Sequence, residues 1–374
     1  MPEKIKILQS VNSLGIGGNV IFVMNYFRQI NKEKFQIDFV IYDDAKMNFY
    51  DEVIKSGSKV FICKQNYKNQ YLQLLSQMKQ VKKILDKGHY DIIHCHSCSF
   101  IGIFRGAVPG FLTKGTKVIS HAHNPGRPKH TKFDRILRYL AKKILSHISD
   151  FGFACAEECG KSKYTASFRK SEKYMIIRNA IDVKRYQFDE CARVKKRKQY
   201  GIENDFVIGS VGRLEEQKNY LFLIDVLNEY LKENKQCRLL LIGDGKQKEM
   251  IMRKAQNAGI GEHIIMAGAT EHPEKYYSAM DVFVLPSIYE GFGLVNIEAQ
   301  VSGLVCIVSE AVPREADVSG KVNFLPYDVC KWCEALEKCK RDSVYSKRKS
   351  VYPVKYDVHR EVQRLEHLYE NLCS

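Results

Sequence analysis

No apolar run in this 374-residue chain approaches the roughly 20 residues that a membrane-spanning helix needs. The first residues, Met1-Pro-Glu-Lys-Ile-Lys-Ile-Leu8, enter a strand pattern at once and lack the apolar stretch of a secretory signal, so the chain is expected to remain in the cytoplasm. Asp-x-Asp occurs nowhere, which removes the usual carboxylate pair for holding a divalent cation against a phosphorylated ligand. The first glycine-rich segment lacks the G-x-G-x-x-G spacing of a dinucleotide turn. Solenoid repeats and low-complexity runs are also missing. Twelve cysteines are present, but they are scattered through apolar segments of a long chain, which predicts reduced, buried thiols and no disulfide.

A hydrophobic content of 45% over this length fits two α/β domains better than one. Hydrophobic patterning predicts strands near 4–11, 35–42, 59–63, 90–94, 117–121, 151–155 and 174–177, with helices between most of them, and hence a mainly parallel sheet. A charged stretch from Asp182 to Asp205 interrupts the alternation, and Phe206-Val-Ile-Gly-Ser-Val211 restarts it. Further strands are predicted near 238–242, 263–267, 281–285 and 304–308. The reading is two Rossmann-like lobes, residues 1–185 and 186–354, with a terminal helix from Val358 to Leu372 set off by Pro353.

The formal net charge is +16, and between Gly126 and Tyr200 there are 20 Lys or Arg against 8 Asp or Glu, so +12 of it lies in one fifth of the chain. Such a patch attracts polyanions: nucleic acid, anionic lipid or pyrophosphate-bearing ligands. Within it Phe133, Ile136, Leu137, Leu140, Ile144 and Leu145 recur at helical spacing, with Lys132, Arg135, Arg138, Lys142 and Lys143 on the other face. Two readings stand side by side: a helix lying on a membrane surface, and an ordinary lobe helix with a core face and solvated lysines.

The segment Ser287-Ile-Tyr-Glu-Gly-Phe-Gly-Leu-Val-Asn-Ile-Glu298 carries the most information. It leaves the predicted strand Asp281–Leu285, turns on Gly291 and Gly293, and enters a helix predicted from about Gly293 to Ser302. Glu290 is thereby placed at the carboxyl edge of a parallel sheet, where ligands bind and a helix N-terminus offers free N–H groups to an anion. Read along a helix, eight residues span roughly 12 Å, so Glu290 and Glu298 are predicted to hold opposite ends of an extended ligand with its phosphates between them. Either glutamate alone reads as a solvated acid; the pair flanking two glycines reads as a site. Val211-Gly-Arg-Leu-Glu-Glu-Gln-Lys-Asn219 repeats the strand, turn and helix, and offers Arg213 and Lys218 to a diphosphate. Gly243-Asp-Gly245 is expected to border the same cleft. In the first lobe, Gly17 and Gly18 follow the first strand and let backbone approach a phosphate, although packing also favours small residues in such turns.

Histidines cluster as His94-Cys-His96-Ser-Cys98 and His121-Ala-His123. Zinc ligands usually come as spaced couples in loops, whereas both clusters lie at the carboxyl ends of predicted strands, so no metal is expected. His123 is read as an active-site imidazole, and His94, His96 and His121 as hydrogen-bonded strand-end residues.

Taken together, the Gly-Gly turn at 17–18, Asp91-Ile-Ile-His94, Ser120-His-Ala-His-Asn124, Arg178-Asn-Ala-Ile-Asp182, Val211-Gly-Arg-Leu214 with Gln217-Lys-Asn219, and Tyr289-Glu-Gly-Phe-Gly293 with Glu298-Ala-Gln300 resemble the retaining glycosyltransferases of family 4. The subgroup they most resemble makes bacterial exopolysaccharide and capsule, and Ser309-Glu-Ala-Val-Pro-Arg-Glu-Ala316 fits it as well. The resemblance implies the GT-B fold, two Rossmann-like lobes with a deep cleft and a last helix, here 355–374, crossing back to the first lobe. It implies transfer of a hexose or N-acetylhexosamine from a UDP-sugar to a lipid-linked saccharide, with retention and without a metal or other cofactor. By the same resemblance Arg213, Lys218, Gly17 and Gly18 contact the donor diphosphate and Glu298 the ribose. Glu290 faces the donor sugar, Gly291, Phe292, Gly293 and Leu294 give backbone contacts, His123 lies beside the anomeric centre, and Gly243 and Asn179 border the cleft.

Two positions depart from the family pattern. Asn19 stands where many members carry an acid, and Gly293 where many carry proline, the latter expected to loosen the turn. The basic patch is expected to meet the anionic inner face of the plasma membrane and not nucleic acid, no module for which is present. Alternatives are a UDP-sugar epimerase or phosphorylase of the same fold, or a basic nucleic-acid- or membrane-binding protein without transferase activity.

Overall fold

The computed structural model describes residues 3–45, 47–63, 65–123, 132–342 and 348–374. Chain contacts divide it into two compact units, Met1–Ala180 with Lys355–Ser374, and Ile181–Val354. The division falls inside Arg178-Asn-Ala-Ile-Asp182, a few residues before the boundary read from the charge pattern.

The first unit holds β1 (Ile5–Ser10), β2 (Phe35–Ile41), β3 (Val60–Ile62), β4 (Ile92–Cys95), β5 (Lys117–Ala122), β6 (Phe151–Ala154) and β7 (Tyr174–Ile176). They pair in the order β3-β2-β1-β4-β5-β6-β7, all parallel. Because helices cover both faces, consecutive strand residues are buried on opposite sides: Ile7, Ile92, Ile119 and Phe153 face one core, Leu8, Ile93, Val118 and Ala154 the other. The first core is closed by the first helix, Gly18–Gln29, and by the terminal helix, Val358–Cys373. Val362, Leu365 and Tyr369 of the terminal helix are buried there, and Glu366 accepts from the Asn31 N–H at 2.7 Å.

The second unit holds β8 (Phe206–Val211), β9 (Cys237–Ile242), β10 (Ile264–Gly268), β11 (Val282–Leu285), β12 (Val305–Ser309) and β13 (Val322–Leu325), in the parallel order β10-β9-β8-β11-β12-β13. β13 escapes the sequence reading because it is a short edge strand, half exposed and without alternation. The stretch read as an interruption is also structured. Its helix Glu190–Tyr200 buries Arg193 and Arg197 in place of apolar residues, so hydrophobic periodicity does not reveal it.

Each sheet has a topological switch point, between β1 and β4 in the first unit and between β8 and β11 in the second. Strands leave in opposite directions there, so the loops after their carboxyl ends diverge and leave a crevice. Gly17 and His96 lie at the first crevice, and Gly212 and Glu290 at the second.

All twelve cysteines are free; Cys191, Cys330 and Cys373 are exposed rather than buried. No described helix is long and apolar enough to cross a membrane. Helix Lys132–Ile148 corrects the idea of one uniform apolar face: Leu145 and Ile148 are buried, whereas Ile136, Tyr139 and Leu140 are exposed. The side chains of Lys132 and Phe133, and Asn124 of the histidine motif, lie outside the described residues.

Candidate active site

In the second unit the turn after β8 and the turn after β11 are tied together. The Ile288 N–H donates to the Gln217 carbonyl at 2.8 Å, and the Gln217 amide donates to the Tyr289 carbonyl at 2.9 Å. This brings Lys218 and Glu290, 72 positions apart, into an ion pair of 2.6 Å with side chains only 12% and 8% exposed. The Ser287 hydroxyl donates to the same Glu290 oxygen at 2.6 Å. Asn219, at φ 53°, supplies the left-handed residue that starts helix Tyr220–Tyr230 and aims Lys218 inward, a conformation asparagine tolerates. A Cβ on Gly212 would lie 3.0 Å from the Lys218 stem and 3.1 Å from the Tyr220 hydroxyl. Arg213 is exposed and has no carboxylate partner among the described residues. Lys218 is therefore a neutralised, fixed cation, and Arg213 a free one.

Gly243, expected to border the cleft, has a defined packing role. A Cβ there would collide with the Gly212 carbonyl oxygen, and its N–H is spent on the Gly268 carbonyl at 2.9 Å. It lets two turns pack back to back rather than offering a donor to a ligand. Gly293 caps helix Leu294–Val301 at φ 78°, a conformation closed to proline, so the departure from the family pattern is a specified turn rather than a loosened one. Gly291 and Leu294 are half-buried, with Phe292 buried between them. Only residues 294–298 are helical, so the rise of a continuous helix does not measure the separation of Glu290 from Glu298.

Glu298 is no surface acid: it is 4% exposed, and Tyr277 donates to it at 2.7 Å. Burial pushes its carboxyl up to about 7, against the opposing pull of the Tyr277 and Tyr186 hydroxyls and of Arg185. The folded chain thus keeps this proton to a higher pH than the unfolded chain does. Its contribution to stability is complete below about pH 4.5 and is lost as pH rises through about 7, a change of about 3 kcal/mol. Glu298→Gln is expected to match the parent protein in denaturant titrations near pH 4.5 and to exceed it by about that amount above pH 8. A difference that does not grow with pH would mean the carboxyl is solvated.

In the first unit Gly17 caps the first helix without a side-chain bond, at φ −162°. A Cβ on Gly17 or Gly18 would meet nothing within 4 Å. Neither backbone strain nor packing within the protein requires glycine at these positions, and the space over the helix N-terminus is open. Phe22, one turn on, sets its edge against His121 and His123, with centroids 4.6 and 5.0 Å away. His123 is buried, its Nε2 is 2.9 Å from His96 Nδ1, and its carbonyl accepts from the Cys155 thiol. Burial lowers its pKa to about 3, so its imidazole is neutral at physiological pH. The Asn179 side-chain oxygen is buried without a partner among the described residues.

The expectation that His94, His96 and His121 are all satisfied fails for His121, neither of whose nitrogens has a partner among the described residues. The ligating atoms of the three lie within 4.8 Å of one another. Strand periodicity puts them on one face of adjacent strands, which two separate sequence clusters do not announce. Sequence reasoning also missed Ser287 and Tyr277, which donate to Glu290 and Glu298 and hold them in place. Ser287 opens the very motif that drew notice, but a strand-end serine carries no signal by itself.

Two family models match the chain, Glycosyltransferase Family 4 over residues 16–185 and Glycosyl transferases group 1 over residues 192–342. EpsF of Bacillus subtilis (strain 168), named as a glycosyltransferase, is 24% identical over 97% of this chain and 96% of its own length. The UDP-Gal:alpha-D-GlcNAc-diphosphoundecaprenol alpha-1,3-galactosyltransferase of Escherichia coli is 27% identical over 76% of this chain and 73% of its own. Among solved structures, Anabaena Alr3699/HepE in complex with UDP and glucose superposes with a TM-score of 0.80 at 18% identity, covering 98% of this chain and 99% of that one. With two parallel Rossmann-like units, each carrying its candidate residues at the switch point, and with family models spanning both, the chain belongs to the family 4 glycosyltransferases and has the GT-B fold.

Proposed function

We propose that this glycosyltransferase moves a hexose or N-acetylhexosamine from a UDP-sugar to a lipid-linked saccharide, with retention at the anomeric carbon, during cell-surface polysaccharide synthesis. The observation that carries the reading is the Lys218–Glu290 pair with Arg213 beside it at the second switch point. A leaving diphosphate needs cations aimed where its charge develops, and a pre-paired, buried lysine is already oriented. Arg213 and Lys218 take the diphosphate, Glu298 accepts from the ribose hydroxyls, and Glu290 faces the sugar with backbone N–H groups of Gly291 to Leu294. Gly17 and Gly18 contact the phosphates, His123 acts at the anomeric centre, and Asn179 contacts the donor. UDP is favoured over GDP by the relative named for UDP-Gal and by the UDP held in the structural neighbour. The lipid-linked acceptor is favoured by the diphosphoundecaprenol in that relative's name.

The cations present supply the charge that a metal ion would, so the reaction proceeds without one. The acceptor's lipid places the enzyme at the inner face of the plasma membrane, where exposed Ile136, Tyr139 and Leu140 sit among Arg135 and Lys143 on a helix suited to an anionic bilayer. Sedimentation with anionic vesicles but not with RNA at matched salt is the outcome this surface predicts.

The test of the donor is thermal stabilisation of the full chain by UDP, GDP and a panel of UDP-sugars in EDTA, followed by the anomeric configuration of the product by proton NMR. Selective stabilisation by one UDP-sugar and a retained anomer are expected. A strict need for Mg²⁺ or Mn²⁺, or an inverted product, would overturn the reading.

A further inference from the structure

Two of the clustered imidazoles of the first unit, His96 and His123, form one hydrogen-bonded chain with Gln9 of β1. His123 Nε2 lies 2.9 Å from His96 Nδ1, and His96 Nε2 lies 2.7 Å from the Gln9 amide oxygen on β1. The Tyr369 hydroxyl of the terminal helix lies 2.7 Å from His94 Nδ1. Gln9, His94, His96, His123 and Tyr369 are all under 10% exposed. Water therefore does not replace these bonds, and each must carry one proton to be made.

The same rings do not suit a metal. His94 and His121 stack with planes only 8° apart and centroids 5.4 Å away. Imidazole lone pairs lie in the ring planes, so two offset, nearly parallel rings do not converge on one ion. Both nitrogens of His96 are already bonded within the chain.

A neutral imidazole has one donor and one acceptor nitrogen. Burial and the neighbouring imidazoles keep all four rings neutral at physiological pH. The chain then has only two self-consistent polarities. With the Gln9 oxygen toward His96, His96 donates from Nε2, so its Nδ1 accepts from a protonated His123 Nε2. Turning the Gln9 amide over reverses both bonds and moves the His123 proton to Nδ1. One amide orientation, two bonds away, thus decides which nitrogen of His123 offers a lone pair.

We propose that Gln9 is a positioning residue for the transfer reaction: acting through His96, it holds His123 in the tautomer with its proton on Nε2 and its Nδ1 free to accept from the reacting sugar or acceptor. This rests on the reading that His123 works at the anomeric centre.

The test uses the full chain labelled with ¹⁵N in its histidine side chains, with the His123 signals identified by their loss in His123→Ala. Long-range ¹H–¹⁵N correlation reads the tautomer directly. The parent protein is expected to show Nε2 protonated and Nδ1 bare. Gln9→Met, which keeps volume but removes the amide, is expected to move His123 toward a mixture of both tautomers, whereas Tyr369→Phe, which removes a hydroxyl bonded to His94, is expected to leave the His123 tautomer as it is. Gln9→Met is also expected to lower kcat by about tenfold or more, while KM for the donor stays nearly constant because the ring remains in place. An unchanged His123 tautomer in Gln9→Met overturns the proposal. Parental turnover in His123→Ala overturns the reading of His123 instead, since the spectra report on the chain whether or not the ring takes part in the reaction.

Discussion

Replacing Asp281 by alanine is expected to destabilise the second unit by about 3–5 kcal/mol, the cost of leaving buried charge without its partner. Asp281 stands just before β11, with Arg193 at 2.6 Å and Arg197 at 3.2 Å, and the three side chains are 10%, 8% and 6% exposed. Its carboxylate also accepts from the Val207 N–H at 2.8 Å, tying the start of β8 to that of β11. Other bonds of the two guanidinium groups go to the carbonyls of Met280, Ile202 and Ala279, which satisfy donors but cancel no charge. Arg348, on the same Met280 carbonyl, already has its pKa lowered to about 9 by burial and by the nearby Arg193. Without Asp281 three cations would be held together in a low dielectric. Denaturant titration gives the loss directly, and Asp281→Asn, which keeps an acceptor for the Val207 N–H, should lose less. Equal midpoints for parent and alanine variant would show that these charges are hydrated after all. Because Asp281 is at the amino end of its strand and Glu290 follows the carboxyl end, turnover of the variant at permissive temperature should change little.

Lys218→Ala is expected to do the reverse, lowering kcat by about 10²–10³ with a much smaller effect on stability. On the proposed reading the lysine is one of two cations that meet the leaving diphosphate, and its loss then removes charge stabilisation only as that charge appears. Glu290 would lose its ion pair but keep the Ser287 hydroxyl, which limits the structural cost. A double variant with Glu290→Gln separates the two contributions. If restoring neutrality at 290 leaves turnover low, the missing cation is the cause; if turnover returns, the unpaired carboxylate was. Initial rates at saturating donor settle it, and parental turnover in Lys218→Ala would remove the lysine from the diphosphate site.

Much of this molecule is legible in its residues because parallel sheets covered on both faces must be built from short apolar runs. Twelve of the thirteen strands announce themselves in that way, and β13 fails as a half-exposed edge. Helix Glu190–Tyr200 fails for the opposite reason, since its inward face is arginine. At the site, the glycine turns and the two glutamates are legible as a pattern of strand, turn and helix, and Gly293 follows from the turn itself.

What each charged group touches is another matter. Lys218 and Glu290 are 72 positions apart, and only the adjacency of β8 and β11 makes them partners. Glu298 reads as a helix-surface acid until helix Leu294–Val301 proves buried on nearly every side. Gly243 reads only as a glycine bordering the cleft until its neighbour's carbonyl is seen to leave no room for a side chain. The histidines follow the same rule: their clusters are visible, but a chain from His123 through His96 to Gln9 joins the ends of β5 and β4 to β1. The sequence by itself determined the class of fold, the family and the turns that carry the site, because periodicity and glycine act within a few residues. The tertiary structure alone decided which charges are paired, which are buried and which way a proton points, because those depend on neighbours that the sheet order brings together from distant parts of the chain.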